Sequence, residues 1–158
     1  MKRLILLITV VLLPIFAFSQ NKTIISDLKK AGVSIFNNES YVKPMYEGCG
    51  SYFSINKSDN KKGNYIFIGM VTDYWGKAYR KDFNIEMVID GEVVNFQATS
   101  VSKNALYTVL KNYEKNITVH INLKKMSEMH EYFEYKGSLT LIKKGRKYIF
   151  PLYGGSGC

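Results

Sequence analysis

The clearest structural signal in the chain is strict alternation of apolar and polar positions between Phe83 and Ala98. Phe83, Ile85, Met87 and Ile89 alternate with Asn84, Glu86 and Val88. After Asp90-Gly91, Val94, Phe96 and Ala98 alternate with Asn95 and Gln97. Period-two patterning marks strands with one buried face, and an Asp-Gly pair between two such runs marks a tight hairpin. The same grammar recurs along the chain. Ser51–Ile55 reads as a short strand and Asn64–Thr72 as a largely apolar, central one, separated by the turn-rich Asn56–Gly63. Ala105–Leu110 and Ile117–Leu123 form a second hairpin across Lys111–Asn116, with Ile117, Val119, Ile121 and Leu123 on one face. Glu131–Tyr135 and Ser138–Ile142 follow, broken at Lys136-Gly137, and Lys144-Gly145 turns into Arg146–Tyr153. About eight short strands joined by tight turns predict a mainly β domain, an antiparallel sandwich or barrel.

Two stretches depart from that grammar. Thr23–Gly32 reads as a short N-terminal helix: Thr23 or Ser26 caps its start, Asp27 suits the positive end of its dipole, and Gly32 stops it. Met1-Lys2-Arg3, the apolar run Leu4–Phe18 and the small residues Ala17 and Ser19 have the form of a secretory leader. The run is shorter than the roughly 20 apolar residues a membrane span needs. Cleavage after Ser19 is expected, with residues 1–19 as signal peptide and 20–158 as one secreted or periplasmic β-domain. No cysteine follows the run, so lipid anchoring at that point is not expected, and the mature chain has no transmembrane segment.

Export changes how the cysteines are read. Cys49 and Cys158 lie in glycine-rich settings, Gly48-Cys49-Gly50 and Gly157-Cys158. In an oxidising compartment they are expected to pair. The bridge would close a loop of about 110 residues, which the chain-entropy model values at about 4–5 kcal/mol.

The chain carries 22 Lys and Arg against 13 Asp and Glu, a formal +9 that falls to +7 when Lys2 and Arg3 leave with the leader. That balance favours an anionic partner, although lysines spread along the chain also serve solubility. Motifs for catalysis are sparse. No HExxH, Walker A or GxGxxG pattern occurs, the only histidines are His120 and His130, and no cofactor is implied. The chemistry therefore points away from an enzyme. A small secreted hydrolase acting on a glycan or anionic substrate is the alternative, because sequence does not display carboxylate pairs. Met126, Met129 and His130 offer soft and borderline ligands suited to copper, which makes a periplasmic metal-binding protein a third reading. The methionines serve equally as gap-fillers in a core.

The stretch best suited to recognition is Asp73–Arg80. It gathers Tyr74, the only tryptophan, Trp75, and Tyr79 and Arg80 around a glycine between two strands. Trp, Tyr and Arg dominate interface energetics; Trp75 would otherwise anchor the core. Lys143–Tyr148 is a basic hairpin tip, but no nucleic-acid-binding motif accompanies it, so nucleic acid is not the expected partner. The general build resembles small periplasmic β-domains, lysozyme inhibitors among them, that carry a signal peptide and one disulfide. The resemblance covers architecture only. Sequence therefore predicts a non-catalytic binding module, inhibitor-like in build, for an envelope or extracellular protein or glycan.

Overall fold

A computed structural model describes residues 23–37, 50–69, 84–102, 106–130 and 132–157. In chain order the elements are helix α1 (residues 23–31), β1 (Val33–Ser34), β2 (Phe36–Asn37), β3 (Gly50–Ser54), helix α2 (Lys57–Lys61), β4 (Asn64–Tyr65) and β5 (Phe67–Gly69). They continue with β6 (Asn84–Ile89), β7 (Glu92–Val101), β8 (Tyr107–Asn112), β9 (Ile117–Met129), β10 (Tyr132–Lys143) and β11 (Arg146–Gly157). The architecture is a closed antiparallel barrel, not a sandwich. Its eight strands run β3-β5-β6-β7-β8-β9-β10-β11, and β11 pairs back onto β3. Each barrel strand thus neighbours its successor, and the β3–β11 ladder alone joins distant parts of the barrel sequence. β1 adds to β6, and β2 pairs with β4 as a separate two-stranded ribbon.

The β6–β7 hairpin follows the alternation. Ile85 pairs with Phe96 and Met87 with Val94, all four buried, while Asn84 is exposed. Asp90 and Gly91 have φ of 54° and 82°, the two left-handed positions a tight primed turn requires. Phe83 lies outside the described residues.

Four boundaries differ from the sequence expectation, each for a local reason. Asn64–Thr72 is not one strand: Asn64–Tyr65 leaves the barrel to pair with Phe36–Asn37, and β5 starts only at Phe67. Between them the buried Ile66 donates its N–H to the Phe53 carbonyl at 2.8 Å. Asn56–Gly63 contains a helical turn, α2. Asn56 caps it reciprocally, its side-chain oxygen accepting from the Asp59 N–H and its amide donating to the Asp59 carboxylate. Lys136-Gly137 does not break β10. A Cβ at Gly137 would lie 1.9 Å from the Asn122 carbonyl oxygen, so glycine keeps the strand continuous where β9 approaches it closely. Finally, β11 runs on through Pro151 to Gly157. β3 pairs only with Tyr153–Gly157, so Pro151 lies beyond that ladder, where a missing N–H is tolerated.

Inward positions fill the barrel with Phe53, Phe67, Phe96, Phe150 and aliphatic side chains, all buried; Phe53 stacks on Phe67 with centroids 4.8 Å apart. Polar groups face inward at Ser51 and Ser156, which hydrogen-bond each other at 2.9 Å, and at Thr108. The Thr108 hydroxyl is the only buried side-chain polar atom among the described residues without a hydrogen-bond partner.

Helix α1 packs against one end of this core through the buried Leu28 and Ala31, with Ile24 against them. Gly32 ends it as expected, with φ 73°, and its carbonyl accepts from the Asp90 N–H at 2.8 Å. Lys143 then clamps helix to barrel, donating to the Ala31 carbonyl at 2.9 Å and to both Asp90 carboxylate oxygens at 2.7 and 2.8 Å. Among the described residues no helix is long and apolar enough to cross a membrane.

Candidate functional site

Alternation decides which side chains the barrel presents outward. On β3, Phe53 points in and Tyr52 out; on β10, Tyr135 points in and Tyr132 and Glu134 out; on β11, Leu152 points in and Tyr153 out. Closing β11 against β3 brings these outward residues together. Gly155 pairs with Tyr52 on one side and Glu134 on the other, and Tyr153 pairs with Ser54 and Lys136. Tyr65 joins from β4, its ring centroid 5.3 Å from that of Tyr52. Four tyrosines and one carboxylate thus share a single outer face.

Two glycines form the floor of that face. A Cβ on Gly155 would fall 2.0 Å from the Tyr132 hydroxyl oxygen, and one on Gly50 would fall 3.2 Å from the Tyr52 ring. Neither has the positive φ that glycine alone readily adopts, so it is the tyrosine rings that occupy the space a side chain would need. Tyr132 remains 39% exposed even so.

A polar group sits among the rings. Tyr153 donates its hydroxyl to Glu134 Oε1, Ser127 donates to Oε2 at 3.1 Å, and the Lys57 ammonium lies 3.6 Å from Oε1. The same ammonium sits over the Tyr153 ring, 5.3 Å from its centroid, in a cation–π contact. Helix α2 delivers Lys57, and Asn60 pins that helix by donating to the Tyr52 carbonyl at 3.2 Å.

The electrostatics follow from these contacts. The Tyr153 hydrogen bond, then Ser127 and Lys57, hold the Glu134 carboxyl below the usual glutamate range. Lys57 is raised by its contact with Tyr153 and by the Glu134 charge. All four phenols are pushed above the ordinary tyrosine value, chiefly by burial. The negative charge of Glu134 adds to this at Tyr132 and Tyr153. Near neutral pH the face therefore presents an ionised acceptor, an ammonium donor and protonated phenols. An ionised Glu134 is suited to accepting hydrogen bonds and not to donating a proton.

The sequence-predicted candidates are distributed as follows. Tyr74, Trp75, Tyr79 and Arg80 lie outside the described residues, as do Cys49 and Cys158. Of the soft-ligand group, Met126 is the extra residue of a bulge, since Ser127 pairs with Glu134 and Lys125 with Tyr135. Met129 pairs with Tyr132 on the outer tyrosine face and is 66% exposed, while His130 occupies the following turn with φ 50°. Among the described residues no three His, Cys, Asp or Glu side chains converge. In the basic hairpin, Lys143 is structural, as its clamp on α1 shows, and the Tyr148 hydroxyl donates to the Lys30 carbonyl at 3.4 Å.

Sequence reasoning missed the tyrosine face. Its one legible trace was that Tyr52, Tyr132 and Tyr153 fall on the polar phase of strands whose other phase is apolar. The chain matches no protein-family model, no curated protein and no solved structure.

Proposed function

We propose that this chain is an exported, non-catalytic binding module that engages an envelope or extracellular partner through the outer face of β3, β10 and β11. The observation that carries this reading is the convergence of four partly exposed tyrosines on one ion pair. Large, rigid aromatics with a polar tip contribute contact area at small entropic cost, and they concentrate at recognition surfaces. Residues 70–83, with the aromatic segment around Trp75, connect Gly69 to Asn84. Gly69 pairs with Ser51, which pairs with Ser156, so β5 ends at the rim bearing Gly50 and Gly157.

The same ladder supports the disulfide. Ser51 and Ser156 face inward as a directly opposed pair with hydroxyls in contact. Cys49 and Cys158 each adjoin, in sequence, one member of the last described pair, Gly50–Gly157, and directly opposed residues of an antiparallel ladder have the Cα separation that a disulfide spans.

Co-sedimentation with isolated bacterial envelopes tests the function. The parent protein, expressed with its leader, is expected to be recovered cleaved after Ser19 and to bind. Gly155→Ala, which displaces the Tyr132 ring, is expected to bind several-fold less while melting close to the parent. Equal binding by the two proteins would remove this face from the function.

A further inference from the structure

The basic balance of the whole chain suggests an anionic ligand, but the tyrosine face has a different local charge. Among the rings Glu134 and Lys57 lie 3.6 Å apart and offset each other, while Lys136, opposite Tyr153 on the same outer phase, and Lys124 beside it stand at the margin of the face. An anion placed among the rings would meet the Glu134 carboxylate, and a cation would meet the Lys57 ammonium. We infer that the ligand of this face is an uncharged glycan, with a pyranose ring lying against the tyrosines and its hydroxyls bridging Glu134 and Lys57. The inference rests on the binding-module reading and names the partner class for it.

Three features fit this chemistry. A hydroxyl both donates and accepts, so neighbouring hydroxyls on one ring can give to a carboxylate that only accepts and take from an ammonium that only donates. A pyranose also has an apolar C–H face, which packs on an aromatic ring as another apolar group does, while its rim stays polar. Here the rings of Tyr52 and Tyr65 lie at 46° to each other, a tilted pair and not a flat plate. The glycines beneath Tyr52 and Tyr132 let those rings lie low against the sheet, so a ligand can approach both them and Glu134. A purely apolar partner would have to cover Glu134 and Lys57 without replacing their water, which is costly.

Titration calorimetry and amide NMR with the intact protein test the inference. The probes are cellotetraose, chitotetraose, maltotetraose and mannotetraose, with tetragalacturonate as the anionic comparison. At least one neutral tetrasaccharide is expected to bind, shifting the amides of Tyr52, Tyr132 and Gly155, with affinity unchanged as salt rises. Tyr132→Ala and Glu134→Gln are each expected to weaken it about tenfold, with thermal melts confirming that both variants fold. Tighter, salt-sensitive binding of tetragalacturonate would overturn the neutral ligand. So would a neutral saccharide whose affinity ignores both substitutions, or no saccharide binding at all. In that last case, envelope co-sedimentation that survives deglycosylation yet is lost in Gly155→Ala would leave the binding module standing with a protein partner. Loss of both signals would sink the two readings together.

Discussion

Replacing Lys143 with methionine should loosen the helix at the end of the barrel. Methionine keeps the apolar stem and removes the ammonium, so the change isolates the clamp from the packing. The Lys143 side chain is 12% exposed and bonds the carbonyl of Ala31, a residue with no exposed surface. Water cannot readily replace that donor, and a lost hydrogen bond from a charged group costs about 1.5–3 kcal/mol. The Asp90 side chain is 61% exposed, so its ion pair is screened and adds only about 0.5 kcal/mol. Lys143→Met is thus expected to cost about 2–3 kcal/mol, lowering the melting temperature by roughly 5–10 °C. Asp90→Asn keeps the left-handed turn and a side-chain acceptor, and should cost less. The pH dependence has a definite sign. The Lys143 hydrogen bond lowers the Asp90 pKa below its usual 3.8. Its contribution is therefore complete above the unfolded-state value and disappears as pH falls through the folded one. The gap between parent and Lys143→Met should narrow below about pH 4 but not close, because the carbonyl contact persists. Urea melts across pH measure both quantities. Parent-like stability of Lys143→Met, or greater damage from Asp90→Asn, would refute the clamp.

Met87→Asn should cost about 2–4 kcal/mol, by lost burial and an unsatisfied amide, whereas Asn84→Ser should be nearly neutral in the same chemical denaturation assay. Gly154→Ala should be destabilising by about 2 kcal/mol or more: its Cβ would meet the Tyr52 carbonyl oxygen at 2.1 Å, and backbone yields less easily than the ring above Gly155. Thr108→Val should stabilise by about 1 kcal/mol, since it removes a buried hydroxyl that has no partner and preserves the shape; a loss in the melt would show that the hydroxyl is satisfied. Intact mass of the protein expressed with its leader should rise by two hydrogens on reduction, and alkylation without reductant should label neither Cys49 nor Cys158.

Legibility followed how local the determining physics was. The Asp90-Gly91 hairpin could be read because the turn residues and both flanking alternations lie within sixteen positions, Phe83 to Ala98. The helix stop at Gly32 was equally local, and the Asn56–Asp59 capping pair that nucleates α2 was present but read only as a turn. Gly137 and Gly155 misled or stayed silent because each answers to a distant partner, Asn122 in one case and Tyr132 in the other. The tyrosine face was hidden for the same reason. Tyr52, Tyr65, Tyr132 and Tyr153 come from four strands and meet only when the barrel closes.

That closure runs through one short seam. β3 and β11 share five residue pairs, Tyr153–Ser54 to Gly157–Gly50, and their contact at Ser51 and Ser156 spans 105 positions. Every other ladder of the barrel joins successive barrel strands, and the β6–β7, β8–β9, β9–β10 and β10–β11 hairpins can zip from a nearby turn, but the seam must gather the whole chain first. Long-range pairing of this kind is slow to form. An opened seam would expose two sheet edges at once, each a template for association with other chains. The tyrosine face straddles this seam, with Tyr52 on one lip and Tyr153 and Tyr132 on the other. A bound ligand would stitch the lips together, slowing subglobal opening and shielding both edges, so occupancy would be legible in hydrogen-exchange protection of β3 and β11.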